Sequence, residues 1–439
     1  MPKSAIVVYS LSYPFEQGEE FLDAELPHLA NQFDRVVLIP TLHTSGMTQT
    51  RHLPPGVTLV TPGNSYKREV GGIARFCMYH PLAAGASALR ALRAGPKPAR
   101  IWRDLKFDLR STAVAHAVSD RLADLLAFDS EIVLYAFWLH VPARTALECR
   151  RLLDIAGAPV VSRANGFDLY LERHPDRYLP QRDRLLRGLD LVLAASSSAE
   201  EYLHTNFPAH RQKYSVDRIG TGPAINPGNA QQSALHAVSC SYISPVKRLP
   251  MLIDDVAAAQ ARGMRLRWTH IGTGTGPYPN EVEAYAARKL TPGSFTFLGH
   301  MENADLRRWY AENPASVFVH VPEFEGGLAA SIQEALAQGL PVIATDVGGV
   351  SALRETDLPL FDGLLDAQHT PEQFADRVER LITSDAASYA RYAAASVAYW
   401  QENCSAEVLA VRLAGRLRHI ATTGRTQTAV AGPAAGTAT

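Results

Sequence analysis

The chain has 439 residues, with 43 Lys and Arg against 44 Asp and Glu, and a formal net charge of -1 at pH 7. This balance excludes a protein that coats nucleic acid, because such a protein needs a strong basic excess to displace counterions. Hydrophobic residues make up 46% and charged residues 20%, as in ordinary globular proteins. The length fits about three domains, or two larger ones.

The cysteines and the apolar runs indicate where the protein resides. The cysteines are Cys77, Cys149, Cys240 and Cys404. Their spacing fits neither a zinc site nor a redox couple, so we expect them to be unpaired in a reducing compartment. No apolar run reaches the roughly 18 residues of a membrane-spanning helix, and no secretory leader precedes the first strand-like run. We therefore predict a cytoplasmic protein.

The first half of the chain alternates short apolar strands with longer amphipathic helices. Strands are predicted at 5–9, 35–40, 131–135, 159–162 and 189–194, and helices at 19–33, 142–156 and 179–188. The loop 13–18 follows the first strand, where such folds admit an acceptor, but Glu19, Glu20 and Glu25 also fit the plain acidic first turn of the first of these helices. Continuous apolar strands alternating with helices predict a parallel sheet that is covered on both faces.

The second half repeats this alternation. Strands are predicted at 237–243, 266–271, 317–321 and 341–345, with helices at 249–262 and from 331 onward. The fold class is therefore α/β, with two Rossmann-like doubly wound domains that face each other across a cleft. We place the domains at 1–218 and 233–390, a hinge at 219–232, C-terminal helices that return to the first domain at 391–423, and a disordered tail at 424–439.

The segment 322–349 carries the strongest chemical signal. A predicted strand ends in an acidic loop, where Gly326 and Gly327 let the backbone approach a ligand closely. A helix that starts near Ser331 presents free amides to a diphosphate. Glu325 and Glu334 suit the hydroxyls of a sugar or ribose.

Two other interpretations of these glutamates stay open. Ser331 and Glu334 also have the spacing of a capping box, in which Glu334 merely satisfies a backbone amide. A hydrolase would use Glu325 and Glu334 as a carboxylate pair, but nothing in the sequence places them on either side of one bond.

The complete segment 322–349 resembles the signature of glycosyltransferase family 4, retaining enzymes of the GT-B architecture. The match is closest from Glu334 to Gly349. The sequence also resembles transferases of bacterial surface polysaccharide assembly. The family usually has seven residues between its two glutamates, whereas eight separate Glu325 from Glu334 here. The resemblance implies that Glu325 meets the donor sugar, with Glu323 as the substitute.

The segment 239–248 resembles the strand and loop with which this family holds the donor diphosphate. Lys247 matches the phosphate-binding lysine. Tyr242 stands where the family usually has an arginine, and a phenol carries no charge, so we expect Arg248 to supply the second cation. A solvated Lys247 at a helix start is the simpler alternative.

Glycine-rich loops are expected to line the nucleotide pocket through backbone groups. The run 270–276 lacks the G-x-G-x-x-G spacing of dinucleotide-binding proteins, which argues against a nicotinamide cofactor. The resemblance instead implies a nucleotide pocket at this loop and at 299–302. Its expected members are Gly272, Gly274, Gly299 and, from the signature segment, Leu328.

In the first half, the segment 162–170 resembles the loop that carries a histidine in this family. Asn165 stands at the position of that histidine; it retains hydrogen bonding to a sugar hydroxyl but cannot titrate near neutral pH. Arg163 and Asp168 are either neighbours of phosphate or acceptor, or a buried structural pair. His140 either meets the acceptor or packs among aromatic residues.

The balanced net charge conceals a basic segment at 64–111. It holds ten Lys and Arg against three Asp and Glu, interleaved with aromatic residues. We expect either peripheral contact with the inner membrane through anionic lipid, or a solvated helical face.

The resemblance implies a metal-independent, hexosyltransferase-type enzyme of polysaccharide biosynthesis. It would move a sugar with retention from a nucleotide-diphosphate sugar, UDP favoured over GDP, to a hydroxyl of a glycan or lipid-linked glycan. The donor is a co-substrate, and no cofactor is expected. No metal is expected because the sequence lacks an Asp-x-Asp motif, and no nucleic acid is expected because the net charge is balanced. The alternatives are a sugar-nucleotide epimerase of the same fold and a catalytically weak binding or scaffold subunit.

Overall fold

The computed structural model describes residues 3–16, 19–44, 46–63, 70–92 and 97–424. The chain divides into two compact units. Unit 1 comprises Met1–Asp217 with Ala410–Thr439, and unit 2 comprises Arg218–Leu409. The segment predicted as a hinge, 219–232, belongs to unit 2, and the return to unit 1 begins at Ala410. The predicted tail lies outside the described residues from 425 onward.

Unit 1 contains a parallel sheet whose strands are ordered β3-β2-β1-β4-β5-β6-β7. Its strands are β1 (Lys3–Ser10), β2 (Arg35–Pro40), β3 (Val57–Leu59), β4 (Asp129–Ala136), β5 (Val160–Ala164), β6 (Leu191–Ala194) and β7 (Tyr214–Val216). Strand β1 is central and buried on both faces, since helices cover the two sides of the sheet. Val7 pairs in register with Val37 and Leu134.

The three helices predicted in unit 1 are shorter in the structure than the sequence predicts. The helices of this unit are α1 (Leu22–Gln32), α2 (Val70–Tyr79), α3 (Pro81–Ala91), α4 (Pro98–Leu126), α5 (Val141–Leu152), α6 (Arg182–Gly188) and α7 (Ser197–Asn206). The helix predicted at 19–33 starts at Leu22 because Glu19 adopts a left-handed φ of 59°. Of the three glutamates predicted to form one acidic helical turn, Glu25 does lie in the first turn of α1, whereas Glu19 and Glu20 precede the helix.

Unit 2 contains a second parallel sheet, ordered β10-β9-β8-β11-β12-β13. Its strands are β8 (His236–Cys240), β9 (Arg267–Ile271), β10 (Phe295–Phe297), β11 (Val317–His320), β12 (Val342–Thr345) and β13 (Leu364–Leu365). Its helices are α8 (Leu249–Ala261), α9 (Tyr278–Lys289), α10 (Asn303–Glu312), α11 (Ala330–Ala337), α12 (Pro371–Ile382) and α13 (Ala386–Asn403). Two buried apolar clusters lie on the two faces of this sheet. The predicted α/β class with two Rossmann-like units is confirmed.

Strand order reverses once in each sheet, and ligands of such folds bind at the point of reversal. In unit 1 the reversal lies between β1 and β4, and in unit 2 between β8 and β11. A ligand site is therefore expected at the loops that follow the carboxyl ends of these strands. Helix α14 (Ala406–Thr423) ends the described chain, and within unit 1 its Arg418 pairs with Glu131.

The described part of the chain contains no helix with the length and apolarity needed to cross a membrane.

A buried charge cluster ties three elements of unit 1 together. Arg163 of β5 is 1% exposed and pairs with Glu25 of α1 at 2.7 Å and with Asp217 at 2.9 Å. The Tyr135 hydroxyl accepts a further hydrogen bond from Arg163 and donates one to Glu25. Burial raises the pKa of Glu25 and of Asp217, with the Arg163 charge opposing it. Arg163 is thus a structural cation of this unit. Its carboxylate partners are Glu25 and Asp217, and not Asp168, with which the sequence suggested a buried pair.

We expect Arg163→Met to lower the free energy of unfolding by roughly 3 to 5 kcal/mol, because it leaves the buried Glu25 carboxyl group without its cation and takes the nearer of two cations from Asp217. Denaturant unfolding followed by circular dichroism measures this loss. The control is Arg121→Met, which makes the same substitution on an exposed position of α4 in the same unit. Equal effects of the two substitutions would contradict a structural role for the cluster.

Candidate functional site

The candidate site lies where strand order reverses in unit 2. The loop after β8 carries Lys247, and the loop after β11 carries Glu325. The two side chains form an ion pair, and Nε2 of His320, the last residue of β11, lies 2.8 Å from Oε1 of Glu325. The structure thus brings together two residues that are 78 positions apart in sequence.

The carboxylate at the centre of this cluster is held in its ionised form. Burial alone would raise the pKa of Glu325, but the hydrogen bond from His320 and the charge of Lys247 outweigh it and lower this pKa. Burial lowers the pKa of His320, so the neutral imidazole donates its Nε2 hydrogen to the carboxylate. The result is a fixed anion beside a cation, able to accept hydrogen bonds from hydroxyl groups.

Backbone contacts between two loops fix the position of Glu325. The Gly349 N–H donates to the Glu325 carbonyl oxygen at 3.0 Å. A Cβ at Gly349 would lie 2.0 Å from the carbonyl carbon of Gly327, so no side chain fits at position 349. The Gly-Gly turn after β12 is therefore required for the close approach of this loop to the loop that carries Glu325.

Glu323 differs from Glu325 in its exposure and in its contacts. Its side chain is exposed, and its backbone N–H donates to the Val246 carbonyl oxygen at 2.8 Å. This bond joins the loop after β11 to the loop that carries Lys247. Of the two glutamates, Glu325 is the one that contacts Lys247 and His320.

Arg248 directs its guanidinium to the backbone. It donates to the carbonyl oxygens of Val321 at 2.9 Å and of Pro322 and Ala367 at 2.7 Å each. The expected second cation for a diphosphate is thus engaged with three carbonyl groups. This geometry favours a positioning role for Arg248, which holds the loop after β11 against the start of α8.

The glycines expected in the nucleotide pocket lie in loops that bond to one another. The Gly272 N–H donates to the Gly299 carbonyl oxygen at 2.8 Å, which links the loops after β9 and β10. Gly272 has φ of 136°, and a Cβ there would lie 1.9 Å from the Ser241 carbonyl oxygen. A Cβ at Gly274 would lie 2.3 Å from the Ile243 carbonyl oxygen. Half-exposed Tyr242 donates its hydroxyl hydrogen to Thr275, which keeps it on this rim.

Glu334 lies within α11 and does not cap it. The helix begins at Ala330 with Ala329 as its N-cap, and no side chain caps this end. The capping-box interpretation of Ser331 and Glu334 is therefore wrong, because Ser331 is already inside the helix. Burial raises the pKa of Glu334 to about 7, with a small opposing effect of Arg307. The side chain is thus poised between its two protonation states at neutral pH.

The loop of Asn165 in unit 1 is organised by a buried carboxylate. Asp168, which is 0% exposed, accepts hydrogen bonds from the backbone N–H groups of Leu139, Asn165 and Gly166. The Asn165 side chain donates to the Phe137 carbonyl oxygen at 3.2 Å. Its Oδ1 is buried without a hydrogen-bond partner among the described residues. Asn165 therefore keeps an acceptor oxygen available at the carboxyl end of β5.

A second carboxylate shapes the loop after β1. Glu19 accepts hydrogen bonds from the backbone N–H groups of residues 11–13 and from Nε1 of Trp138 at 2.7 Å.

His140 packs edge-on against Phe107 and Phe167. Burial lowers the pKa of His140 to about 3, so it stays neutral at physiological pH. The packing interpretation of His140 matches these contacts.

The basic segment 64–111 is only partly described. Lys67, Arg68 and Arg93, together with the Arg75 side chain, lie outside the described residues. Among the described basic residues, Arg90 bonds Asp108 at 2.7 Å and Arg103 pairs with Asp176 at 2.8 Å. Apolar side chains on α2, α3 and the start of α4 are exposed instead, namely Met78, Tyr79, Leu82, Leu89 and Trp102.

Sequence reasoning missed His320 and the loop-ordering role of Glu19. A histidine at the end of an apolar strand gives a weak signal, although its place at the carboxyl end of β11 is where a site is expected. The acidic run around Glu19 resembled a helical turn, and only the folded loop shows three backbone amides converging on one carboxylate.

Comparisons with known proteins show what the chain is similar to. Residues 235–384 match the family model of glycosyl transferases group 1. A protein that carries the name colanic acid biosynthesis glycosyltransferase WcaL, from Escherichia coli, is 23% identical over 219 residues. That alignment covers 48% of this chain and 53% of the relative, so the chain matches about half the length of this curated protein.

Solved structures show the fold over nearly the whole chain. The α,α-trehalose-phosphate synthase (UDP-forming) of Burkholderia vietnamiensis has a TM-score of 0.64 at 14% identity, covering 96% of this chain and 99% of its own. Anabaena HepE in complex with UDP and glucose has a TM-score of 0.60 at 16% identity, covering 95% and 100%. Residues 235–384 are therefore similar to group 1 glycosyl transferases, and the two α/β units of the chain have the fold seen in GT-B glycosyltransferases.

Proposed function

We propose that the protein is a retaining glycosyltransferase that moves a sugar from a nucleotide-diphosphate sugar to a hydroxyl of a glycan or lipid-linked glycan in polysaccharide biosynthesis. The observation that carries the proposal is the cluster of Lys247, Glu325 and His320 at the strand-order reversal of a group 1 domain. UDP-sugars are favoured as donors over GDP-sugars, because HepE has been solved with UDP and glucose.

Each described side chain of the cluster has a role in this proposal. Lys247 binds the donor diphosphate as a compact cation. Ionised Glu325 accepts hydrogen bonds from hydroxyls of the donor sugar, and neutral His320 holds its carboxylate in place. Arg248 positions the loop after β11 through its three carbonyl contacts.

The nucleotide is held by α11 and by the glycine loops. Glu334 accepts hydrogen bonds from ribose hydroxyls, while backbone groups of Gly272, Gly274 and Gly299 line the base. The N–H groups at the start of α11, near Ser331, and those of Gly326, Gly327 and Leu328 stabilise negative charge on the departing diphosphate.

The proposed chemistry uses no protein nucleophile and no metal ion. The acceptor hydroxyl attacks the anomeric carbon from the face that the diphosphate leaves, its proton passes to a departing phosphate oxygen, and the configuration is retained. Asn165 contributes its unpartnered Oδ1 to a sugar hydroxyl and takes no part as acid or base. We assign no metal because the sequence contains no Asp-x-Asp motif.

Lys247→Ala is expected to weaken UDP binding about 10- to 100-fold, the effect of losing a charge-assisted contact to phosphate. Glu325→Gln is expected to leave UDP affinity within a few-fold while it lowers sugar release from UDP-sugars. Calorimetry with UDP and an assay of UDP release from a panel of UDP-sugars measure the two effects.

The matched control is Glu323→Gln, which makes the same change two residues away on an exposed side chain. Unchanged UDP affinity in Lys247→Ala would overturn the site. Turnover of a UDP-sugar to an epimer without any acceptor would identify the epimerase alternative, and no nucleotide binding at all would identify a scaffold.

UDP affinity is expected to rise as the pH increases through about 7, since burial raises the pKa of Glu334 to about 7 and the ionised carboxylate is the stronger acceptor. The raised pKa also means that ionisation of Glu334 costs stability, which falls as the pH rises from the unfolded value towards about 7. Glu334→Gln should flatten the affinity profile, apart from the titration of UDP itself, which both proteins share. Identical profiles would exclude Glu334 from the ribose contact.

The protein is proposed to act in the cytoplasm and to touch the membrane surface through α2–α4. Leu82 and Leu89 are seven residues apart on one face of α3 and are 89% and 58% exposed. On α4, exposed Trp102 and Lys106 share a face. Apolar side chains bordered by basic ones suit an anionic lipid surface.

Vesicles of phosphatidylcholine with phosphatidylglycerol are expected to sediment the protein, and the double variant Leu82→Ser with Leu89→Ser should lose this binding. These positions are exposed, so the variant should unfold at the same temperature as the wild type. Val408→Ser with Val411→Ser, which alters exposed apolar positions of α14, is the control. Equal sedimentation of all three proteins would exclude the contact through α3.

A further inference from the structure

A cavity of about 880 Å³ lies within unit 1, formed by α6, the chain that precedes it, and side chains of α3 and α4. Arg90 of α3, Asp104 of α4 and Phe207, just beyond α7, complete its wall. None of the proposed steps of sugar transfer uses it. Its size is that of a site for an organic molecule, well above the space of one ion.

The wall of this cavity is strongly basic. Five arginines line it against two aspartates. Both aspartates have partners, since Asp104 accepts a hydrogen bond from Tyr178 at 2.7 Å and Asp183 pairs with Arg187 and His210. The five arginines are Arg90, Arg177, Arg182, Arg184 and Arg187.

Several of these arginines pair with a carboxylate and still have donors to offer. Arg90 bonds Asp108, Arg177 pairs with Glu172, and Arg187 pairs with Asp183. A guanidinium carries five N–H donors, so one ion pair leaves others for a ligand. Guanidinium groups match the geometry of phosphate oxygens.

The Gln181 side chain is a buried polar group of this wall that lacks a partner in the described structure. It is 9% exposed, and neither Oε1 nor Nε2 of its amide has a hydrogen-bond partner among the described residues. The side chain lines this cavity and also a smaller one of about 200 Å³ beside it. Its backbone is fixed, with φ of 47° and its N–H bonded to the Asp104 carboxylate. Buried amides of folded proteins almost always have partners.

Arg182 adds a second unsatisfied group to the same wall. It is 5% exposed and donates to the carbonyl oxygens of Leu139 and Asp168, which carry no net charge. Its Nε has no partner among the described residues. Burial lowers the pKa of Arg182 to about 10, against the opposing charge of Asp168. An anion in the cavity would offset this cost of burial.

We propose that this cavity binds the phosphate or diphosphate group of an organic ligand. Arginine N–H groups and the Gln181 amide hold the phosphate oxygens, and the apolar side chains of Leu171, Leu179 and Phe207 contact the uncharged part of the ligand. The same chemistry is offered by a soluble sugar phosphate and by the phosphate headgroup of a lipid.

Calorimetry with inorganic diphosphate tests the proposal on the full chain saturated with UDP, which keeps any donor site occupied. The wild type is expected to bind diphosphate under these conditions. Gln181→Leu and the double variant Arg184→Gln with Arg187→Gln should each weaken binding at least about tenfold, because each removes donors to a charged group. Arg121→Gln, an exposed arginine of α4 that does not line the cavity, should stay within about twofold of the wild type.

Two further readouts separate this cavity from the proposed donor site and from misfolding. Lys247→Ala should retain the diphosphate binding, whatever its effect on UDP. Gln181→Leu should unfold at or above the wild-type temperature, since it removes a buried amide that has no partner. Loss of the signal in Lys247→Ala but not in the cavity variants would assign the bound diphosphate to unit 2 and overturn the proposal.

Vesicles of phosphatidylcholine with a minor fraction of phosphatidic acid distinguish the two sources of phosphate. For a lipid headgroup, sedimentation with these vesicles falls in Gln181→Leu, and free diphosphate competes with it. For a soluble ligand, only the calorimetric signal depends on Gln181. If neither the diphosphate signal nor vesicle binding changes in the cavity variants, the cavity is not a phosphate site.

Discussion

The ion pair between Lys247 and Glu325 is the interaction around which unit 2 is arranged. It joins the loops that leave β8 and β11, the two strands between which the order of the sheet reverses. A charge pair that is mostly removed from water is stable only if other groups satisfy the remaining lone pairs. His320 does so through Glu325, and Arg248 and Gly349 hold the backbone of the same loop. The backbone of this loop is thus fixed independently of the neighbouring glycine loops.

Unit 1 orders its loops with buried carboxylates that accept hydrogen bonds from backbone amides. Glu19 gathers three backbone amides of the loop after β1 and the indole of Trp138 from the loop after β4. These two strands also flank a reversal of strand order. Asp168 repeats the device for the loop after β5. Buried carboxylates thus order the loops at the carboxyl edge of this sheet.

Most of the fold could be predicted from sequence, because apolar runs such as 5–9 and 317–321 are buried on both faces of a parallel sheet. The start of α1 was misplaced because the carboxylate of Glu19 stabilises a left-handed residue ahead of the helix, an effect of distant backbone amides. Lys247 and Glu325 were candidates through a family resemblance, yet their contact with His320 depends on how two loops meet. The basic cavity left no signal, since its wall is drawn from residues between Arg90 and Phe207.

The close backbone contact at Gly349 has a consequence for how this protein can diversify. The spacing between the two loops is set by main-chain atoms, with the Gly349 N–H on the Glu325 carbonyl oxygen and no room for a side chain. Exchanges at outward-facing positions such as Glu323 leave that spacing untouched. Side chains on this scaffold can therefore be exchanged, by natural variation or by engineering, without moving the two loops, whereas a side chain at Gly348 or Gly349 would collide with the backbone of the loop that carries Glu325.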